Sequence, residues 1–308
     1  MADEVEARRT LSEPAARQLA NATKTRAQWS GITPRWLVSF LPWVPVEAGI
    51  YRLNRVVEGE GESDVECSPS RERDTDLPET FVDYDHHPRE YFLNAVTTIL
   101  DVQSRVTDLY NQPYDQIQEQ LRLLIEKVKE KQENELINNP EYGLIPNAAP
   151  NMRINVRAGA PTPDDLDELI ALVWKEPAFF LAHPKAIAAF GRECTRRGVP
   201  PPTLNLFGTP FLTWRGLPLV PSDKLPFVDG RTKILLLRTG ERKQGVVGLF
   251  QPGVPGEVAP SLSVRFMGIN RKAIASYLIS LYCSSAILTP DALGVLEGVE
   301  IDRYHVYA

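Results

Sequence analysis

The order of apolar and polar positions changes character several times along the chain. Residues 1–36 mix charge, alanine and small polar residues, and a helical pattern over 15–23 is broken by "SGITP". This reads as an arm that becomes ordered only by packing on something else. From Tyr51, "YRLNRVVE" is β-branched and aromatic enough for a strand, and "ETFVDYD" from Glu79 supplies a second. After Pro88 the pattern turns helical. From Tyr114, "YDQIQEQLRLLIEKVKEKQENELINN" places Ile117, Leu121, Leu124 and Val128 at i, i+4, i+7 and i+11, which predicts a long amphipathic helix over 114–138. Lys129 with Glu133 and Lys131 with Glu135 add charge pairs. At ~1.5 Å per residue the helix is about 36 Å long, a strut.

Beyond the strut, "PTPDDLDELIALVW" from Pro161 starts a helix with proline and aspartates suited to its exposed amides. "KAIAAFGREC" from Lys185 reads as a further helix, ended by "TRRGVPPP". Strands then dominate: "TPFLTW" and "GLPLVP" flank Arg215 and Gly216 as a hairpin. "TKILLLRTGERKQGVVGLF" reads as another hairpin, turning around Glu241 to Lys243, and "SLSVRFMGI" is a strand. "RKAIASYLISLYCSSAIL" is expected to be a helix and "GVLEGVEI" a last strand. Helices and strands mix without regular βαβ alternation, so the class is α+β.

The composition fits a globular chain: of 308 residues, 43% are hydrophobic and 24% charged, and 26 prolines against 19 glycines predict stiff connections. A net charge of −6 opposes a sequence-independent grip on phosphates, so no nucleic acid partner is expected. That charge is unevenly spread. Between Val57 and Thr80, nine acids face only Arg71 and Arg73, leaving −7 in one segment that repels copies of itself unless it docks on a basic surface. Cys67, Cys194 and Cys283 are far apart and lack metal spacing, which fits a reduced, cytoplasmic setting. The N-terminus has no apolar core of the signal-peptide kind, and "WLVSFLPWVPV" is too short and proline-broken to span a membrane.

Candidate chemistry is thin. In "VDYDHHPREY", His86 and His87 are adjacent, and neighbouring side chains diverge on a strand or a helix, so one metal does not readily take both. Pro88 predicts instead a joint where a strand ends and a helix begins. His183 and His305 have no sequence-local nucleophile, and Cys67 lies among acids that raise a thiol's pKa. "GERKQG" lacks the strand-to-helix context of a nucleotide loop. No catalytic, cofactor or metal residue is assigned.

From about Ala16 to the C-terminus, the chain closely resembles the shell proteins of family 2A encapsulins, which share the fold of HK97-type phage capsids. The resemblance is carried by "ARQLANATKT", "ITPRWLVSFLPWVPVEAGIYRLNRVV", "TFVDYDHHPREY", "NNPEYGL", "PTPDDLDELIALVW", "FGTPFLTWRGLPLVPSDKLP" and "TGERKQGVVGLFQPG". It implies an N-terminal arm at 1–36, a first P-domain piece at 37–50 and an elongation loop, or E-loop, at 51–87. A second P-domain piece with the spine helix follows at 88–142, then an A-domain at 143–248 and a closing segment at 249–308.

The implied function is a closed icosahedral nanocompartment in the cytoplasm. It would enclose a cargo enzyme, in this branch a cysteine desulfurase with a role in sulfur metabolism; the shell protein itself is not an enzyme and carries no cofactor. A phage or prophage major capsid protein is the alternative on the same fold, and a free-standing enzyme is a third reading. Some capsids of this fold lock with a lysine-asparagine isopeptide bond, yet no lysine stands between Val57 and Thr80, so a non-covalent shell is expected. Arg196, Arg197 and Gly198 correspond to the axial loop of the A-domain. There the arginines either ring a five-fold pore suited to anions or face a neighbouring subunit.

Overall fold

The computed structural model describes residues 14, 32–54, 56–57, 83–103 and 116–304. The expected helix over 15–23, the acidic excursion, Cys67 and His305 lie outside these residues. The helices are α1 (Trp36–Phe40), α2 (Gln116–Asn138), α3 (Leu144–Asn147), α4 (Pro163–Leu172) and α5 (Pro184–Arg196). A first group of strands comprises β1 (Trp43–Pro45), β2 (Ile50–Leu53), β3 (Val56–Val57), β4 (Asp83–Tyr84), β5 (Arg89–Phe92) and β6 (Asn94–Gln103). A second comprises β7 (Arg153–Asn155), β8 (Phe179–Ala182), β9 (Thr203–Leu206), β10 (Thr209–Trp214), β11 (Leu217–Pro221) and β12 (Arg231–Leu237). The last are β13 (Val246–Phe250), β14 (Glu257–Ala259), β15 (Leu262–Ile269), β16 (Ile274–Ile287) and β17 (Leu293–Glu300).

Two main sheets organise the chain, confirming the α+β class. The seven-stranded sheet runs β7-β17-β12-β8-β11-β10-β9. Its central strands are apolar at consecutive positions because both faces are covered. Phe180, Ile234, Leu236 and Leu296 pack with Leu166, Leu169 and Phe190 of α4 and α5. Phe179, Leu181, Leu235 and Val295 pack on the opposite face with Leu37, Leu136, Ile137 and Leu144. Helix α4 begins with a capping box: Thr162 Oγ1 accepts the Asp165 N–H, and the Asp165 carboxylate accepts the Thr162 N–H at 2.9 Å. Thr162→Ala is expected to cost about 1 kcal/mol in a chemical-unfolding measurement.

The six-stranded sheet runs β1-β13-β16-β15-β14, with β6 paired to β16. Helix α2 lies over it: Leu121, Leu124 and Val128 pack with Leu262, Ile279 and Leu281, as the 3.6-residue period predicts. Its far end reaches the other core through Leu136 and Ile137, so the strut joins the two sheets.

Three expectations are corrected. The segment after Pro88 forms β5 and β6 rather than a helix. Residues 94–99 are half-buried and exposed in strict alternation, and Val96, Thr97, Thr98 and Ile99 are β-branched. The stretch read as a helix in "RKAIASYLISLYCSSAIL" is β16, which pairs with β6 over ten residues and with β15 and β13. Its apolar and small residues fill nearly every position, which leaves strand and helix periods indistinguishable without the partners. Finally, β12 and β13 are not a hairpin. They belong to different sheets, and the turn at 240–245 carries the chain from one to the other.

Among the described residues no helix is long and apolar enough to cross a membrane.

Candidate assembly and pore elements

Two short antiparallel ladders, β2 with β5 and β3 with β4, make a two-stranded ribbon at the base of the acidic excursion. The β3–β4 ladder joins the two expected strands, whereas β5, the partner of β2, lies in the stretch expected to be helical. Tyr51 and Tyr91 sit opposite each other in its register, with ring centroids 6.4 Å apart. The Tyr91 hydroxyl donates to the Ile287 carbonyl at 2.5 Å, fastening the ribbon to β16. The Tyr51 hydroxyl donates to Glu241 at 2.8 Å, and burial with that contact pushes its pKa up to about 12.

His86 and His87 lie in the joint between β4 and β5, and both are exposed. Asp85 Oδ1 accepts the His87 N–H at 2.8 Å, which fixes the bend locally. The joint therefore leads from strand to strand, not from strand to helix. No group of three or more metal-ligating side chains exists among the described residues. The remaining candidates for chemistry are structural. His183 caps α5, its Nδ1 accepting the Lys185 N–H at 3.1 Å, while burial lowers its pKa. Cys194 and Cys283 are buried, which pushes their thiols up to about 11 and about 12 and makes them poor nucleophiles.

A carboxylate ladder that sequence reasoning missed secures the exit of the arm. Glu126, Glu130 and Glu133 share one face of α2 and receive the segment that leads into α1. Glu126 pairs with Arg35 at 2.8 Å. Glu130 accepts the Thr33 N–H and hydroxyl, both at 2.8 Å, and also meets Arg35 at 3.2 Å and Lys224 at 3.0 Å. Glu133, 1% exposed, accepts the Leu37 N–H at 3.0 Å. Burial raises Glu133 to about 7 against the opposing pull of that N–H and Lys224. At Glu126 burial also pushes upward, but Arg35 and Lys129 together outweigh it and lower the pKa. The only advance signal was the i, i+4, i+7 spacing of the three acids.

The axial-loop candidates stand at the end of α5. Arg196 is its last residue, Arg197 its C-cap, and Gly198 takes φ +72°, the left-handed geometry that lets the Gly198 and Val199 N–H groups reach the Thr195 and Cys194 carbonyls. Gly198→Ala is expected to lower stability by about 1 kcal/mol in denaturant unfolding, through backbone strain alone, since nothing lies within 4 Å of an added Cβ. Both arginines are ion-paired. Arg196 meets the buried Glu193 at 2.8 Å, and Arg197 meets Asp164 at 3.1 Å and Glu193 at 4.0 Å. Two cations beside two anions leave little excess charge at this helix end within one subunit.

Several large apolar side chains face solvent in the isolated chain, among them Trp174, Val199, Phe207, Phe266 and Ile269. Exposed apolar groups of this number suit a subunit that is covered by its neighbours.

Known proteins place these features. The "Type 2A encapsulin shell protein SrpI-like" family matches residues 51–303. The type 2A encapsulin shell protein SrpI of Synechococcus elongatus PCC 7942 is 66% identical over 297 residues, 96% of each chain. In the cryo-EM structure of the holo-SrpI encapsulin complex from that organism, a chain 62% identical superposes with a TM-score of 0.83, covering 97% of this chain and 99% of that one. The capsid of an empty GTA particle, 14% identical, shares the fold at a TM-score of 0.60 over 89% of this chain and 92% of its own. The fold is thus the one shared with HK97-type capsids, and the chain belongs to the type 2A encapsulin shell protein family.

Proposed function

We propose that this chain assembles into a closed icosahedral nanocompartment in the cytoplasm and encloses a cysteine desulfurase, giving the particle a role in sulfur metabolism. The observation that carries the assembly is the match, over nearly the full chain, to a subunit of a holo-encapsulin complex. Icosahedral closure takes on the order of 60 copies or a small multiple, joined by heterologous contacts that close. The cargo assignment rests on the resemblance to the 2A branch. The likeness to phage-type capsids is at 14% identity and speaks for fold alone.

In this reading residues 1–36 are the arm, 37–50 and 88–142 form the P-domain with α2 as its spine, and 51–87 the E-loop. Residues 143–248 form the axial A-domain and 249–308 close the fold. Arg196, Arg197 and Gly198 then lie at the five-fold opening, where compensation by Glu193 and Asp164 favours passage governed by size more than by charge. The shell is held without covalent links.

Co-expression with a cysteine desulfurase, followed by sedimentation of the particles, tests the cargo. The desulfurase is expected to pellet with the shell and to resist added protease. A desulfurase left in the supernatant above intact shells contradicts the cargo assignment. Boiling the particles under reductant in denaturing gel buffer is expected to give a single band at the monomer mass of 34.5 kDa. A ladder of higher bands contradicts the non-covalent assignment.

A further inference from the structure

A small cavity of about 140 Å³ lies where β5, the turn between α2 and α3, and β16 meet. One wall is Ser284 of β16, 0% exposed, whose Oγ has no hydrogen-bond partner. The hydroxyls beside it are satisfied: Ser285 donates to the Tyr142 carbonyl and Tyr91 to the Ile287 carbonyl. A buried hydroxyl left unpaired at the side of a cavity calls for a bound partner. The satisfied pair does further duty as clips. Tyr91 fastens β5 to β16, Ser285 fastens the turn that carries Glu141, and Cys283 stands opposite Asn94 in the β16–β6 ladder. Residues distant in sequence are thereby held around one space.

The charges at the cavity select its partner. Arg89 lays its guanidinium on the Tyr91 ring, 4.7 Å from the centroid, and among the described residues it has no ion pair. Its N–H groups are therefore available. Glu90 is neutralised by Arg52 at 2.8 Å. Glu141 is exposed, has no ion pair among the described residues, and accepts a neutral donor, the Asn94 amide, at 3.2 Å. The lining thus presents one free cation and one free anion. A simple anion meets the Glu141 carboxylate and a simple amine meets Arg89, whereas a molecule carrying both charges suits both. Volume sets the size: a cavity of about 150 Å³ holds benzene, so about six non-hydrogen atoms fit in this one. The rings of Tyr91, Phe92 and Tyr142 suit a short apolar side chain on that molecule.

We propose that this cavity binds a small zwitterionic α-amino acid of about the size of alanine, its carboxylate held by Arg89 and the Ser284 hydroxyl and its ammonium by Glu141. Every lining residue comes from one chain, so the site does not depend on the shell reading.

The test is saturation-transfer NMR on the purified full-length protein with L-alanine as the probe, beside propionate and ethylamine, each of which keeps one of alanine's two charges. L-alanine is expected to give a saturable signal. The two analogues are expected to bind about tenfold more weakly or worse, since each leaves one charge of the site unmatched. Arg89→Gln, at an exposed position, is expected to keep the circular dichroism and to weaken alanine binding about tenfold or more. Ser284→Thr keeps the hydroxyl, fills part of the cavity with a methyl group and is expected to weaken binding as well. Absence of a saturable alanine signal overturns the proposal and leaves the cavity to ordered water. Equal binding of alanine and either single-charge analogue overturns it too, as does unchanged alanine binding in folded Arg89→Gln.

Discussion

Replacing Glu130 by alanine is expected to destabilise the chain by about 3 kcal/mol or more and to release the segment that carries the arm. Glu130 is 8% exposed and holds four donors from three places in the sequence: the Thr33 N–H and hydroxyl, Arg35 and Lys224. Truncation leaves the Lys224 ammonium, itself mostly buried, with Asp223 and Glu133 nearby but without its ion pair to Glu130 at 3.0 Å. The cost arises from uncompensated buried polar groups, not from the intrinsic worth of the ion pair. Thermal scans of the purified particle should show the loss. Hydrogen exchange should also show Leu37, whose N–H is held by the next carboxylate of the ladder, exchanging faster than in the unmodified protein. Unchanged Leu37 protection with an unchanged melting curve would show that the ladder is ornamental.

The second large effect is a dependence on pH. Glu133 ionises near 4.5 when unfolded and at about 7 when folded, because burial disfavours its charged form. Between those values the folded chain holds a proton that the unfolded chain has released. Stability from this group is therefore full below about pH 4.5 and declines as pH rises toward 7, the opposite of a salt-bridged carboxylate. Across the window the loss is about 3 kcal/mol. Glu133→Gln keeps an acceptor for the Leu37 N–H and removes the titration. Its melting temperature should exceed that of the unmodified protein at pH 8 and approach it at pH 5. Parallel pH profiles for the two proteins would refute the assignment. Asp291 supplies the contrasting case: Arg238 contacts it through two hydrogen bonds and holds its pKa low, so its contribution persists above the normal carboxylate range and fades only in acid.

These two features mark the limit of what the sequence shows. Helix α2 was legible because its apolar side packs on one sheet and its other positions are polar, so the period of 3.6 survives in the pattern. Strands β2, β3 and β4 were legible from β-branched and aromatic residues, whereas β5 lay in the stretch that reads as a helix. Strand β16 was not, since partners on both sides cover it and nearly every position is apolar or small. The turn at 240–245 resembles a hairpin locally, and only the allocation of β12 and β13 to separate sheets shows otherwise. Arg196, Arg197 and Gly198 could be placed at a helix end, but their ion pairs with Asp164 and Glu193 could not be read, because acids are common and the chosen partners are set by tertiary structure. The carboxylate ladder joins residues more than ninety positions apart, beyond the reach of any local pattern. The family was legible from long matching stretches, and composition alone ended at a globular α+β chain.

The central claim is that copies of this chain close into a shell. Electron microscopy of the purified protein, with its elution from a sizing column, tests it most directly. Closed particles of uniform diameter and icosahedral symmetry, eluting far ahead of a 34.5 kDa monomer, are predicted. Elution as a monomer or dimer with no particles in the images would contradict it.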